Sequence, residues 1–375
     1  MRGNIVIAGI GQTAQGKHPD RSTTSLNVEA CRRALQDANV EKDTVDALFV
    51  KYPTSEHRSM YGQTMAEALG LQPRIGGVWD QGGAASASMI GFAAMAIDNG
   101  QCEVALVTIA DNPRTGTRQA YERGWGDDAV FGWFGTPASY AMIARRHMQE
   151  FGTTQEQLGA VARACRRHGA NNPDAQLRKP LSAEDYAVSR PVVDPLRRDD
   201  CCLISDGGAA VLLMSAERAR QLGVPAPVPI LGFGQGQTSW DVAQRPSLTD
   251  TAAAISAATA FSMAGMSPKD IQVAQIYDCF TITVLMTLED YGFCAKGESG
   301  RFVEDGRIEI GGALPVNTSG GLLSESGMPG MQLVTEGVRQ IRGTSSNQVS
   351  GATTSLVTNQ GGIMHTHSTL ILASS

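Results

Sequence analysis

Paired cysteine motifs, basic stripes and long apolar runs are all missing from this chain, and each absence removes a class of protein. No apolar run approaches the ~18 residues of a membrane span. The opening Met1-Arg2-Gly3-Asn4 and the apolar residues behind it are too short and too glycine-punctuated for a signal peptide, and read as a strand. The formal net charge of -6 is spread along the sequence, with no basic stripe to meet nucleic acid or anionic lipid. Seven cysteines (31, 102, 165, 201, 202, 279, 294) make an odd count with no CxxC pair. That favours reduced thiols and a cytoplasmic location over a disulfide framework or a zinc cluster.

What is present is ordinary globular material said nearly twice. The 375 residues are 42% hydrophobic and 18% charged, enough for a large core in two or three packed lobes. Ile5-Val6-Ile7-Ala8-Gly9-Ile10-Gly11-Gln12 returns as Val228-Pro229-Ile230-Leu231-Gly232-Phe233-Gly234-Gln235. Behind each copy come an Ala-rich amphipathic stretch, a turn and an apolar strand. So long a period suits two copies of one βαβ-type half rather than a solenoid, with a cleft between them built from the loops of both.

The first half reads as strand 4–10, helix 25–38, strand 46–51, helix 61–69, helix 84–99 and strand 103–109. Helix 84–99, rich in Ala and Met, should be buried between layers. From about 112 to 200 aromatics gather (Tyr121, Trp125, Phe131, Trp133, Phe134, Tyr140) and charged helices follow, without an equivalent in the second half. This reads as an inserted lobe over the cleft. The expected division is 1–225 and 226–375. Gly9-x-Gly11 lacks the third glycine of a dinucleotide fingerprint, and its recurrence at 232 and 234 argues for a structural turn.

Two runs carry chemistry. Ile276-Tyr277-Asp278-Cys279-Phe280 ends a strand and opens a helix, where ligands meet an open α/β sheet. Pro315 to Gly330 is a long loop of small residues leading into helix 331–342, a place where backbone can approach a ligand closely. An ordinary glycine-rich connection would read the same way. With Phe151-Gly152-Thr153-Thr154, Ala170-Asn171-Asn172-Pro173-Asp174-Ala175, Ser205-Asp206-Gly207-Gly208-Ala209-Ala210 and Asn317-Thr318-Ser319-Gly320-Gly321, they resemble the thiolase superfamily, on its branch of sterol-carrier-protein-type thiolases and thiolase-like lipid-transfer proteins. The resemblance spans most of the chain. It implies an α/β thiolase fold in five αβαβα layers, a homodimer and acyl-CoA substrates, with coenzyme A part of the substrate and no permanently bound cofactor.

The departures from that family bear on function. Where its members carry a nucleophilic cysteine, the family spacing lands on Gly83, in Gln81-Gly82-Gly83-Ala84-Ala85-Ser86. A glycine cannot form an acyl-enzyme, and Ser86 or Ser88 would need an activating base. The family's Gly-His-Pro loop is Gly327-Met328-Pro329, and its second-cysteine loop reads Asn359-Gln360-Gly361-Gly362-Ile363-Met364-His365-Thr366-His367-Ser368. His365 and His367 alternate along a strand and should share a side, where an imidazole pair can move protons; no third ligand accompanies them, so no metal is expected.

The expected catalytic set is therefore His365, His367, Tyr277 and Asp278, with Asn317 or amides near Ser319 and Gly320 holding an enolate oxygen. Gly83, Ser319, Gly320, Met328, His57 and His147 are the expected substrate contacts. The leading expectation is retro-aldol cleavage of a β-hydroxyacyl-CoA without an acyl-cysteine. Thiolase-like aldolases that cleave steroid side chains lack the same cysteine and work with a small partner that has a zinc ribbon and an OB-type domain. A tyrosine such aldolases carry in the loop at Ser326-Gly327-Met328 is missing here, which counts against a steroid in particular. An acyltransferase subunit acting with such a partner, and a non-catalytic CoA or lipid binder, remain as alternatives.

Overall fold

The computed structural model describes residues 2–56, 58–116, 130–133, 135–238 and 242–374. Nine strands lie in the order β3-β2-β4-β7-β1-β8-β11-β10-β9. In the first half these are β1 (Ile5–Gln12), β2 (Ala47–Lys51), β3 (Ile75–Trp79), β4 (Val104–Asp111) and β7 (Gly207–Ser215). In the second they are β8 (Val228–Gln237), β9 (Val273–Ile276), β10 (Thr354–Gly361) and β11 (Thr366–Ala373). Between them β5 (Pro191–Val193) and β6 (Leu196–Arg197) form a separate ribbon.

The repeat in the text is a repeat in topology. β2 runs parallel to β4, and β7 and β1 follow antiparallel. β9, β10, β11 and β8 repeat that pattern of directions. The two sets touch edge to edge only through Val6↔Pro229 and Ile7↔Val228. Helix Thr23–Ala38 covers the outer face of β1, β7 and β4; helix Ala253–Ala264 covers β8 and β11. Helices Ala85–Asp98 and Met331–Arg342 lie between the two sets and touch strands of both. These are the five αβαβα layers.

The paired glycines are not turns. They lie inside β1 and β8, where a Cβ on Gly9 or Gly11 would collide with the Ala34 or Ala30 carbonyl, and one on Gly232 or Gly234 with that of Ala260 or Ser256. Each pair lets a helix rest on its strand at backbone contact. Ten of the fourteen residues of helix Ala85–Asp98 are buried, so the expected inner helix is where its composition put it.

The inserted lobe contributes helices Gly135–Phe151 and Gln155–Asn171, the second started by a Thr154/Gln157 capping box. Half of the expected aromatic cluster, Tyr121, Trp125 and Phe134, lies outside the described residues. β3 was not foreseen. Its Gly76-Gly77 pair reads as loop, yet a Cβ on Gly76 would meet the Leu48 carbonyl, so the glycine lets the edge strand close on β2. Among the described residues no helix is long and apolar enough to cross a membrane.

Candidate active site

A cavity of about 570 Å³ opens where the two halves and the lobe meet. The first half supplies Gly82 and Gly83, which follow β3, Lys51 at the end of β2 and Thr54 just beyond it. The second supplies Tyr277, Cys279 and Phe280 from the end of β9, and Gln360 to Gly362 from the end of β10. Tyr140 comes from the lobe, its ring stacked on Phe280 at 4.5 Å. Arg166, Arg198, Asp199, Leu203 and Ile204 extend the wall along the lobe side.

Gly83 and Tyr277 explain each other. A Cβ built on Gly83 would overlap the Tyr277 hydroxyl and Cζ and the Gln360 carbonyl, all closer than the 3.0 Å that real Cβ atoms respect. The phenol thus fills the space in front of the residue where the family spacing placed a nucleophilic cysteine. The serines nearby are otherwise engaged: Ser86 Oγ donates to the Pro329 carbonyl at 2.6 Å and Ser88 Oγ to Gln235 Oε1 at 3.4 Å.

The cavity thiols are poor nucleophiles. Burial pushes Cys202 up to about 12 and also raises Cys201 and Cys279, with neighbouring negative groups adding to the shift. Gln360 Nε2 donates to Cys279 Sγ at 2.8 Å and to Tyr140 Oη at the same distance. Tyr140 Oη lies 3.0 Å from Gln360 Oε1 and from the Gly362 carbonyl, and burial raises its pKa well above the ordinary phenol value. Tyr140 is a fixed wall.

The expected imidazole pair does not line the cavity. His365 Nδ1 accepts from the Ile363 amide at 2.8 Å in the turn before β11, folding the ring back on its own loop. His367 is fully buried, and burial together with the charge of Arg245 pulls its pKa down to about 3. Alternation along a strand said that the two share a side; it did not say which side faces the cleft.

Three further expectations meet groups already committed elsewhere. Asn317, at a left-handed φ of 53°, turns its amide to β9, accepting from Ile276 N at 2.7 Å and donating to Ile276 O at 2.8 Å. It clamps the end of β9, and the amide also bonds the buried Cys165 rather than lining the cavity. Asp278 points away from the cavity and accepts from the Leu322 and Leu323 amides at 2.8 and 3.2 Å. Burial raises its pKa to about 6 against those amides. His147, fully buried, bonds Thr153 Oγ1 at 2.7 Å and Glu289 Oε1 at 3.1 Å, so it is a strut of the lobe rather than a substrate contact.

Ser319 Oγ donates to Glu325 at 2.5 Å, and Gly320 packs on Gly169; neither lines the cavity. Met328 is buried beneath the loop, while Gly327 and Pro329 on either side do face the cavity. His57 lies outside the described residues. Among the described residues no three His, Cys, Asp or Glu side chains gather closely enough for a metal ion.

Two further buried charges lie at or beside the site. Glu325 is pushed up to about 7 by burial, opposed by Arg339 and by hydrogen bonds from Ser319 and Gln12. It ties β1 to the glycine-rich loop. Lys51 lines the cavity itself at 3% exposure; its only signal was a lysine closing the apolar run Ala47-Leu48-Phe49-Val50.

Residues 234–374 match the family described as "Thiolase C-terminal domain-like". The chain is 39% identical to a "Steroid side-chain-cleaving aldolase" of Thermomonospora curvata, over 97% of this chain and 96% of that protein. It is also 39% identical to a "17-hydroxy-3-oxo-4-pregnene-20-carboxyl-CoA lyase" of Mycobacterium tuberculosis, over 97% and 98%. A solved "Ltp2-ChsH2(DUF35) aldolase" superposes with a TM-score of 0.90 at 38% identity, covering 100% of this chain and 98% of that one. With five layers, repeated halves and a cleft between them, the chain belongs to the thiolase superfamily.

Proposed function

We propose that this chain cleaves the Cα–Cβ bond of a β-hydroxyacyl-CoA by a retro-aldol reaction, with no acyl-cysteine on the way. The observation that carries the reading is the phenol of Tyr277 standing over Gly83 in the wall of the cavity. Relatives that resemble the chain over nearly its whole length bear the names of an aldolase and an acyl-CoA lyase, which supports the reaction class.

The chemistry needs protons moved rather than a covalent bond to the protein. The β-hydroxyl loses its proton, its oxygen forms the new carbonyl, and the Cα–Cβ pair passes into the thioester as an enolate. The enolate then takes a proton at Cα. One proton leaves oxygen and one arrives at carbon, so a single phenol at the reacting atoms can carry both transfers. Tyr277 is assigned that role. Gly83 leaves the space in which the Tyr277 hydroxyl stands, and the raised thiols leave no competing nucleophile.

Coenzyme A enters only as part of the substrate in this reading, with Arg166 and Arg198 on the lobe side placed to meet its polar portion. A homodimer would form through β3, which ends the sheet with Val78 38% exposed and one edge uncovered. A small zinc-ribbon/OB-fold protein is proposed as a further partner, since the solved relative is titled as a pair of components. The division at 225/226 and a cytoplasmic location belong to the same proposal.

The test is to incubate the chain, alone and with the protein product of any adjacent zinc-ribbon gene, with β-hydroxyacyl-CoA and separately with β-ketoacyl-CoA plus free CoA. Release of an aldehyde or ketone from the first, with a shorter acyl-CoA, is the expected result. Thiolysis of the second without carbonyl release from the first would replace the aldolase by an acyltransferase.

A further inference from the structure

Lys51 takes no part in the proton transfers assigned to Tyr277, yet its charge is placed in the cavity wall at 3% exposure. It donates one hydrogen bond, to the Tyr52 carbonyl at 2.8 Å, and forms no ion pair with the described residues. The buried acid acting on it, Asp111, makes its hydrogen bonds to neutral groups instead. Asp111 accepts from Thr54 N at 2.7 Å, Thr54 Oγ1 at 2.6 Å, Ser55 N at 3.1 Å, Ser55 Oγ at 2.5 Å and Asn112 N at 2.9 Å. Asp80, the other acid acting on Lys51, is exposed.

Stripping water from an ammonium costs several kcal/mol unless an anion replaces it. Here the place for that anion is the cavity. The register fixes which part of a ligand arrives there. Lys51 pairs with Trp79 across β2 and β3, and the chain runs from Trp79 through Asp80 and Gln81 straight to Gly82 and Gly83. Lys51 therefore stands on the side of Gly83, while Arg166 and Arg198 belong to the lobe. An anion on Lys51 comes from the acyl portion of the substrate and not from its nucleotide.

We infer that Lys51 binds a carboxylate on the acyl moiety, so that the substrate is a β-hydroxyacyl-CoA whose chain bears a second acid group. This rests on the acyl-CoA reading above and adds the substrate class. The bond changes of the cleavage are unaltered: the carbonyl product is an oxo acid when the carboxylate lies on its side of the broken bond. Lys51 is a specificity-determining residue in this scheme.

Binding tests it without turnover. Calorimetric titration of the full chain with glutaryl-, adipyl- and suberyl-CoA is compared with valeryl-, hexanoyl- and octanoyl-CoA, their equal-length neutral counterparts. At least one diacid should bind about tenfold or more tightly than its counterpart, the worth of one charged hydrogen bond. Lys51→Met should erase that preference while keeping affinity for the neutral thioester and the unfolding midpoint. Equal affinities within every pair of the wild type, or a preference that survives Lys51→Met, would overturn the assignment. Carbonyl release is measured separately, so a charge preference without cleavage would defeat the aldolase and leave the carboxylate site standing.

Discussion

The hydroxyl of Tyr277 occupies the space that a side chain on Gly83 would need. One residue ends a strand of the second half and the other opens the inner helix of the first, so the contact joins both halves in the cavity wall. Phenol and missing side chain are a single device.

Tyr277→Phe removes one oxygen and keeps the ring that shields Gly83. Its kcat for carbonyl release should fall by about a hundred- to ten-thousand-fold, the usual worth of a positioned acid–base group. Thermal unfolding should be unchanged. A Phe variant within a fewfold of wild type would remove Tyr277 from the mechanism.

Gly83→Cys reinstates a thiol but cannot reinstate a thiolase. Its Cβ meets the Gln360 carbonyl as well as the phenol, and backbone yields less easily than a side chain. Overpacking of this kind costs about 1–3 kcal/mol, so the unfolding midpoint in denaturant should drop. Intact-mass analysis after incubation with acyl-CoA should show no stable thioester; an acylated species formed at the rate of turnover would refute the steric argument.

Cys279 is the thiol nearest to Tyr277 in sequence and lines the cavity, and burial keeps it protonated. Cys279→Ala should hold turnover within about threefold, since losing a true nucleophile costs many orders of magnitude. Iodoacetamide at neutral pH should modify Cys279 and Cys202 only slowly. Rapid labelling with parallel loss of activity would point back to covalent catalysis.

His367 sets an acid limit on stability. Its pKa drops from about 6.5 unfolded to about 3 in the fold because burial, with Arg245 nearby, opposes the charged form. Below pH 6.5 the unfolded chain binds a proton that the folded chain refuses. The contribution is therefore whole above pH 6.5 and is lost as pH falls toward 3, at up to about 1.4 kcal/mol per pH unit. Against His367→Leu, wild-type unfolding free energy should decline more steeply across that window, and the two profiles should run parallel above it. Parallel profiles throughout would mean that the imidazole is charged in the fold.

Much of the architecture is legible in the text because close packing leaves glycines that cannot be exchanged. Gly9, Gly11, Gly232 and Gly234 mark the two strands on which helices rest at backbone contact, and their recurrence exposes the duplication. β3 escapes the same reading, since its two glycines look like a turn until the neighbouring strand is seen. The place of Tyr277 in the cavity wall was legible because a strand end in an α/β sheet is where ligands arrive. Asn317, Asp278 and Ser319 misled for a physical reason. A long loop of small residues has backbone groups to satisfy, and the polar side chains beside it serve that need before any substrate. His365 and His367 misled because periodicity gives a common side without its direction, and Lys51 was overlooked as the last letter of a strand.

The inner helix Ala85–Asp98 has a consequence for biosynthesis. Much of its cover comes from β8, β10 and β11, and all three are made only after the first half. While the ribosome is still translating the second half, the first half holds out the apolar face of this helix that those strands will conceal. Burial of this helix is thus postponed until the second half has emerged, and the nascent intermediate is open to misassembly in the meantime.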